Sequence, residues 1–289
     1  MTPLRHLVPV PPALPTDYRA QSVDTSVEAD WVLFEQLRQM PVHQRHQRFR
    51  SFNHAWRSRL WWLSCQRQNA AQTYLQRRYG AAWLAQQDVV AITQIPPTMI
   101  LDPITYTLKI AAILDSLNLA YYVGGSVASS LHGESRSTRD VDLAVMISPE
   151  AIDSLIQAFA QANFYISESS VYEAVESIDP ARSFNVIDIT SSEKADIFPL
   201  KRNQFAQSQM SRRQVVEFPE GQIYVCTPED IILQKLRWRR MSHSTEQWND
   251  ILGVMKLQQM NLDRDYLWTW APQLGVEVEL AQALQQAGL

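Results

Sequence analysis

The stretch that most restricts how this chain folds is residues 121–145, YYVGGSVASSLHGESRSTRDVDLAV. The apolar run 121–123 predicts a short strand, which Gly124, Gly125 and Ser126 break. A short helix over 126–133 ends at Gly133, and 140–147 predicts a strong strand. Residues two apart on a strand point to one face, so Asp140 and Asp142 project together. Two carboxylates held that close repel each other and lose hydration unless a cation lies between them. A third carboxylate on a neighbouring strand would complete an oxygen-ligand site for Mg²⁺. Asp196, in KADIFPL, is placed for that role. Asp188, in FNVIDIT, flanks the same expected TSSEK hairpin and is its competitor. The backbone N–H groups of Gly124, Gly125 and Ser126, between a strand and a helix, suit phosphate oxygens.

Each part alone has a plain reading. Asp-x-Asp at a strand start is a solvated edge, Gly-Gly is a turn, and a hairpin Asp is surface. Their order and spacing give them joint meaning. The chain around them reads as an α+β protein. Helices are expected over 24–40, 44–79 and 81–88, with IPPT at 95–98 as a linker and PVPPALP near the start as an extended arm. On the long second helix Phe49, Phe52, Trp56, Leu60 and Leu63 recur at helical spacing and predict a buried stripe. A helix over 101–119 precedes the first strand, and another over 149–162 follows the Asp-x-Asp strand. Strands are expected over 164–168, 184–190, 194–199, 213–218 and 222–226, then helices over 228–240, 245–259, 263–273 and 276–287. This organisation divides into a helical lobe at 1–98, a mixed-sheet core at 99–226 and a helical lobe at 227–289.

With 289 residues, 46% hydrophobic and 19% charged, the composition is that of a globular chain rather than a disordered one. No apolar run is long enough to span a bilayer. The Pro-rich start lacks the apolar segment of a signal peptide, so no membrane association is expected. Two distant cysteines, Cys65 and Cys226, fit a reducing cytoplasm.

The string GGSVASSLHGESRSTRDVDL followed by KADIF resembles the nucleotidyltransferase superfamily of the DNA polymerase β type, and most of all its minimal bacterial branch with AbiEii-like toxins. The matching positions are Gly124, Gly125, Ala128, Gly133, Arg136, Thr138, Asp140, Asp142 and Asp196, and TPEDIILQKL at 227–236 resembles the helix after the core. The resemblance implies a nucleotidyltransferase-type mixed sheet and Mg²⁺-dependent transfer of NMP from an NTP, such as ATP, to a hydroxyl acceptor. RNA or tRNA ends, protein side chains and aminoglycoside-like small molecules are the acceptor classes. It further implies two Mg²⁺ ions on Asp140, Asp142 and Asp196, phosphates held by Gly124, Gly125 and Ser126, and an antitoxin protein as a partner. A member that binds nucleotide or a partner without catalysis is the alternative.

Several cations and polar residues are open to both plain and functional readings. Arg136 sits at the family position and equally suits bracing of the loop. Lys194 shares a strand face with Asp196, so it neutralises that carboxylate or contacts phosphate. Lys235 stands five residues after Asp230, a poor helical pairing, and the resemblance implies that it serves nucleotide binding. Arg139 reads as surface, His132 as a helix-end residue, and Trp248 and Asp250 as a packed helix with a polar edge.

Charge is uneven. Residues 36–87 hold nine arginines, no lysine and no acid, so this window carries +9 and the remainder −13 of a net −4. Arginines interleaved with aromatics suit RNA. An acidic protein partner and the chain's own acidic body are the other readings.

Overall fold

The computed structural model describes residues 14–93 and 99–289. Residues 9–13 of the expected arm and the IPPT segment lie outside them. Among the described residues the helices are α1 (Val27–Gln39), α2 (Val42–Ser64), α3 (Ala70–Tyr79), α4 (Ala81–Leu84), α5 (Val89–Ile92) and α6 (Pro103–Ser116). The central part alternates β1 (Tyr121–Val123), α7 (Gly125–His132), β2 (Val141–Val145), α8 (Ile152–Gln161), β3 (Phe164–Ile166), α9 (Glu168–Glu176), β4 (Phe184–Asp188) and β5 (Glu193–Pro199). After it come α10 (Gln204–Arg212), β6 (Gln214–Phe218), β7 (Gly221–Val225), α11 (Pro228–Ser242), α12 (Thr245–Gln258), α13 (Arg264–Leu274) and α14 (Glu277–Ala287). This is the expected α+β class. Two compact units emerge: Met1–Arg45 with Ser129–Glu134 and Pro228–Leu289, and His46–Ala128 with Ser135–Thr227.

The second unit holds a seven-stranded mixed sheet in the order β3-β4-β5-β2-β1-β7-β6. β2 is antiparallel to β1 and parallel to β5, so the end of β1 and the starts of β2 and β5 meet at the same end of these central strands. That end carries Gly124, Asp140 and Lys194. β1 is buried at all three residues, as a central strand requires, and β2 alternates with Val141, Leu143 and Val145 inward. Leu75, Leu84, Ile92 and Ile187 form a core cluster that seats α3, α4 and α5 against β4, with Tyr79 and Trp83 packed on it. The α6 helix begins where the sequence asks: Asp102 caps it by accepting from Ile104 N at 2.9 Å, and Pro103 occupies the first turn.

Three local expectations are corrected. The helix expected over 44–79 is two helices, interrupted between Ser64 and Ala70. Helices α9 and α10 were not expected. Both are nine residues with few apolar positions, and their signals are the caps, Ser167 accepting from Ser170 N and Asn203 from Ala206 N. The buried stripe of α2 is also not the apolar one. Phe49 is buried and Phe52 is exposed, while His46, Asn53, Arg57 and Ser64 face inward.

The first unit is helical. Tyr18, in what was expected to be an extended arm, is buried and donates its hydroxyl to Asp30 Oδ2 at 2.8 Å, where Lys256 Nζ also binds at 2.6 Å. Gly133 lies flat on α12. A Cβ there would stand 2.7 Å from the Val254 backbone nitrogen, so no larger residue fits.

Candidate active site

Strand register decides which acidic groups share a face. Asp142 is the cross-strand partner of Asp196 in the parallel β2–β5 pair, and Asn185 is the partner of Asp196 across β4–β5. Alternation then puts Asp142, Lys194, Asp196, Asn185 and Ile187 on one face and Glu193 and Asp188 on the other. Asp188 is therefore turned away from Asp196 although both flank one hairpin. It accepts from Lys109 Nζ at 2.7 Å and from the Thr190 hydroxyl at 2.6 Å.

On the first face Lys194 is central. Its ammonium lies 3.1 Å from Asp140 Oδ2 and 2.6 Å from Asp196 Oδ2. The same nitrogen sits over the Tyr79 ring, 5.6 Å from its centroid, and 5.9 Å from that of Trp83. Burial works against this ammonium, but Asp196 and Asp140 outweigh it and hold the group above the ordinary lysine range. Burial pushes the Asp196 carboxyl up to about 6; Lys194 opposes this and Asp140 reinforces it. The Asn185 amide also donates to Asp196. Asp140 and Asp196 thus converge on one cation. Among the described residues no group of three or more His, Cys, Asp or Glu is arranged to hold a metal ion.

Asp142 occupies the space that a side chain at position 125 would need. A Cβ on Gly125 would lie 1.7 Å from Asp142 Oδ2, and Gly125 has a φ of +56°. Gly125 is thus required twice, by the left-handed backbone and by the carboxylate against it. Gly124 N donates to Asp142 O at 2.9 Å, so the Gly-Gly turn is tied to the Asp-x-Asp strand by main chain as well. The Ser126 and Thr138 hydroxyls are hydrogen-bonded to each other, and Thr138 Oγ1 donates to Asp140 O at 2.9 Å.

The loop before Asp140 is fastened by helices that the sequence assigned to a separate basic lobe. Asn53 of α2 donates to Arg136 O at 3.1 Å and accepts from Thr138 N at 2.8 Å. Arg57 donates to Leu101 O at 2.7 Å and approaches Thr138 O at 3.5 Å, and Arg78 of α3 donates to Arg139 O. Both guanidiniums are fully buried and share Glu193, at 3.1 Å for Arg57 and 2.9 Å for Arg78 Nη2. A third arginine, Arg50, binds Glu220 at 2.8 Å and Asp102 at 3.2 Å. Arg50, Arg57 and Arg78 are therefore spent on acids of their own unit. Asn53 and Glu193 went unrecognised in the sequence. No motif marks them; the only hint was a helix whose polar residues recur at the spacing of a buried face.

Arg136 has its Nη1 on the Ser137 carbonyl at 2.9 Å. Lys235 belongs to the other unit, where it donates to Gln247 Oε1 at 2.9 Å and Asp250 Oδ2 at 2.8 Å. Asp230 there accepts from Tyr266 OH at 2.7 Å. His132 is buried, and its carbonyl accepts from Gln258 Nε2 at 2.7 Å. No helix among the described residues is long and apolar enough to cross a membrane. Cys65 and Cys226 are both free thiols.

No family model matches the chain, and no curated protein matches it significantly. It is similar to several solved structures. The solution structure of the antibiotic-resistance factor ANT(2'')-Ia is 17% identical, covering 62% of this chain and 94% of that one, with a TM-score of 0.40. A crystal structure of ANT(2'')-Ia in complex with adenylyl-2''-tobramycin is 16% identical, covering 60% and 96%, with a TM-score of 0.39. An antigenic nucleotidyltransferase-like protein from Paracoccidioides brasiliensis is 17% identical, covering 64% and 93%, with a TM-score of 0.38.

Proposed function

We propose that the chain is a nucleotidyltransferase that moves NMP from an NTP to a hydroxyl acceptor. The observation that carries this reading is the convergence of Asp140 and Asp196 on one cation. Asp142 stands in register with Asp196 and lies beside the Gly124–Gly125 turn.

Carboxylate oxygens are the donors that Mg²⁺ takes, and Asp140, Asp142 and Asp196 share one sheet face; burial raises the Asp196 carboxyl and Asp140 adds to the rise. Asp140, Asp142 and Asp196 would hold the ion, and Lys194 marks where positive charge belongs. When bound, the metal would supply charge stabilisation at the attacking and leaving oxygens. The chain's own groups do the rest. The turn presents the backbone N–H groups of Gly125 and Ser126 to the β- and γ-phosphates, while the Gly124 N–H, expected to join them, is held by the Asp142 carbonyl. Asp196 accepts the proton of the acceptor hydroxyl, whose oxygen bonds to the α-phosphorus. The bond to the bridging oxygen breaks and pyrophosphate leaves with its electron pair. Lys194, once a metal held the carboxylates, would turn to phosphate oxygens, and Arg136, on the loop before Asp140, is the second candidate cation.

A second reading rests on the same ammonium. With Lys194 as the permanent cation, the site binds nucleotide without transfer. The test is incubation with each α-labelled NTP, Mg²⁺ and total RNA, protein or aminoglycosides, with Asp140→Asn as control. Label in an acceptor that the variant abolishes supports transfer. NTP binding without labelled product of any class selects the second reading.

A further inference from the structure

Helix α2 is turned inside out. It buries His46, Asn53, Arg57 and Ser64 alongside Phe49, and it leaves Phe52 and Trp62 54% and 61% exposed. At about 100° per residue, Arg48, Phe52, Arg59 and Trp62 fall on one stripe, opposite Asn53 and Arg57. All four are exposed. Asn53 and Arg57 of the inward face are committed to the loop before Asp140, while Ser64 donates to Leu60 O and His46 packs against Phe218. Nothing in the loop explains two aromatic rings in water between arginines. Exposed arginines continue past the helix end at Arg67 and at Arg77, whose Nη1 reaches Ser64 Oγ at 3.3 Å.

We propose that this stripe is a docking surface for single-stranded RNA. The occupant must be anionic, because α2 and α3 contain no acidic residue at all. That same charge disfavours a second copy of the chain, which would set two basic helices against each other. The occupant must also offer flat apolar faces, since arginine alone would serve an acidic peptide and leave Phe52 and Trp62 without purpose. Unpaired bases on a phosphate backbone meet both demands. The two rings are about 15 Å apart along the helix, on the order of four stacked nucleotides. The surface deepens the transferase reading by naming a polynucleotide as acceptor, and it rests on that reading only for this last step.

The test uses the full chain and a fluorescein-labelled 15-nucleotide unstructured RNA in EDTA, so that binding is read without transfer. The expected result is salt-dependent binding that Trp62→Ala weakens at least about five-fold and Trp62→Phe largely restores. Arg59→Glu should lower the slope of log affinity against log salt by about 0.7. Both side chains are exposed, so melting temperatures stay unchanged. Three results would overturn the proposal: affinity that neither variant alters, tighter binding of a poly-glutamate peptide than of RNA, or self-association that Trp62→Ala abolishes. Binding by the wild-type chain with no transfer from any NTP would leave the surface standing and remove the catalytic reading.

Discussion

Replacing Glu193 by Gln removes the single carboxylate shared by two guanidiniums that have no access to water. Breaking a buried ion pair by removing one partner typically costs about 3–5 kcal/mol, because the remaining charge is left uncompensated. Here two arginines are left, which puts the expected loss at the upper part of that range. For a chain of this size roughly 2–4 °C accompanies each kcal/mol, so the melting temperature should fall by about 8–20 °C. The same substitution loosens the clamp on the loop before Asp140, since Arg78 also donates to Arg139 O. Thermal and urea unfolding followed by circular dichroism measure the loss, with Arg59→Gln, an exposed arginine two residues from Arg57 on α2, as the neutral control. A loss below about 1 kcal/mol for Glu193→Gln would refute the reasoning, because the two buried charges would then be compensated by something other than Glu193.

Three further outcomes follow from particular contacts. Gly125→Ala drives a Cβ into the Asp142 carboxylate and strains a left-handed backbone, so NTP binding measured by titration should be lost while the sheet still folds. Lys194→Met removes the ammonium between Asp140 and Asp196. Mn²⁺ binding by calorimetry should tighten about ten-fold, and unchanged affinity would mean that Lys194 does not compete for the site. Asp102 supplies a pH dependence. Burial pushes its carboxyl up, but hydrogen bonds from Thr105 and Arg50 outweigh this and hold it below its ordinary value. A lowered folded-state pKa gives stability that is fully present above the unfolded value of about 3.9 and is lost as pH falls through the folded one. The unfolding midpoint should therefore drop below pH 4 in the wild-type chain, and less steeply in Asp102→Asn.

Much of this was legible in the sequence where local chemistry and structure agree. The strand, the Gly-Gly break, the short helix and the Asp-x-Asp strand appear where their residues put them, and the TSSEK turn joins β4 to β5 as a hairpin. Motif favoured Asp196, through KADIF, and left Asp188 as its competitor. The register of the β4–β5 pair separates them, because one residue of offset changes the face. The arginine-rich segment misled for a physical reason. Periodicity assumes that apolar residues go in, and α2 instead buries Asn53 and Arg57 to satisfy the carbonyls and N–H groups of the 136–140 loop. Pairing with the chain's own acids was one of the readings offered for these arginines, but which acid a buried pair shares is invisible until the distant Glu193 is brought to it.

The most direct test of the central claim is a crystal of the chain grown with Mn²⁺ and a non-hydrolysable NTP, with the metal located by its anomalous scattering. The account predicts manganese bound by Asp140, Asp142 and Asp196, triphosphate against Gly125 and Ser126, and the Lys194 ammonium moved from between the carboxylates. Bound nucleotide with no manganese, and Lys194 still bridging Asp140 and Asp196, would contradict it.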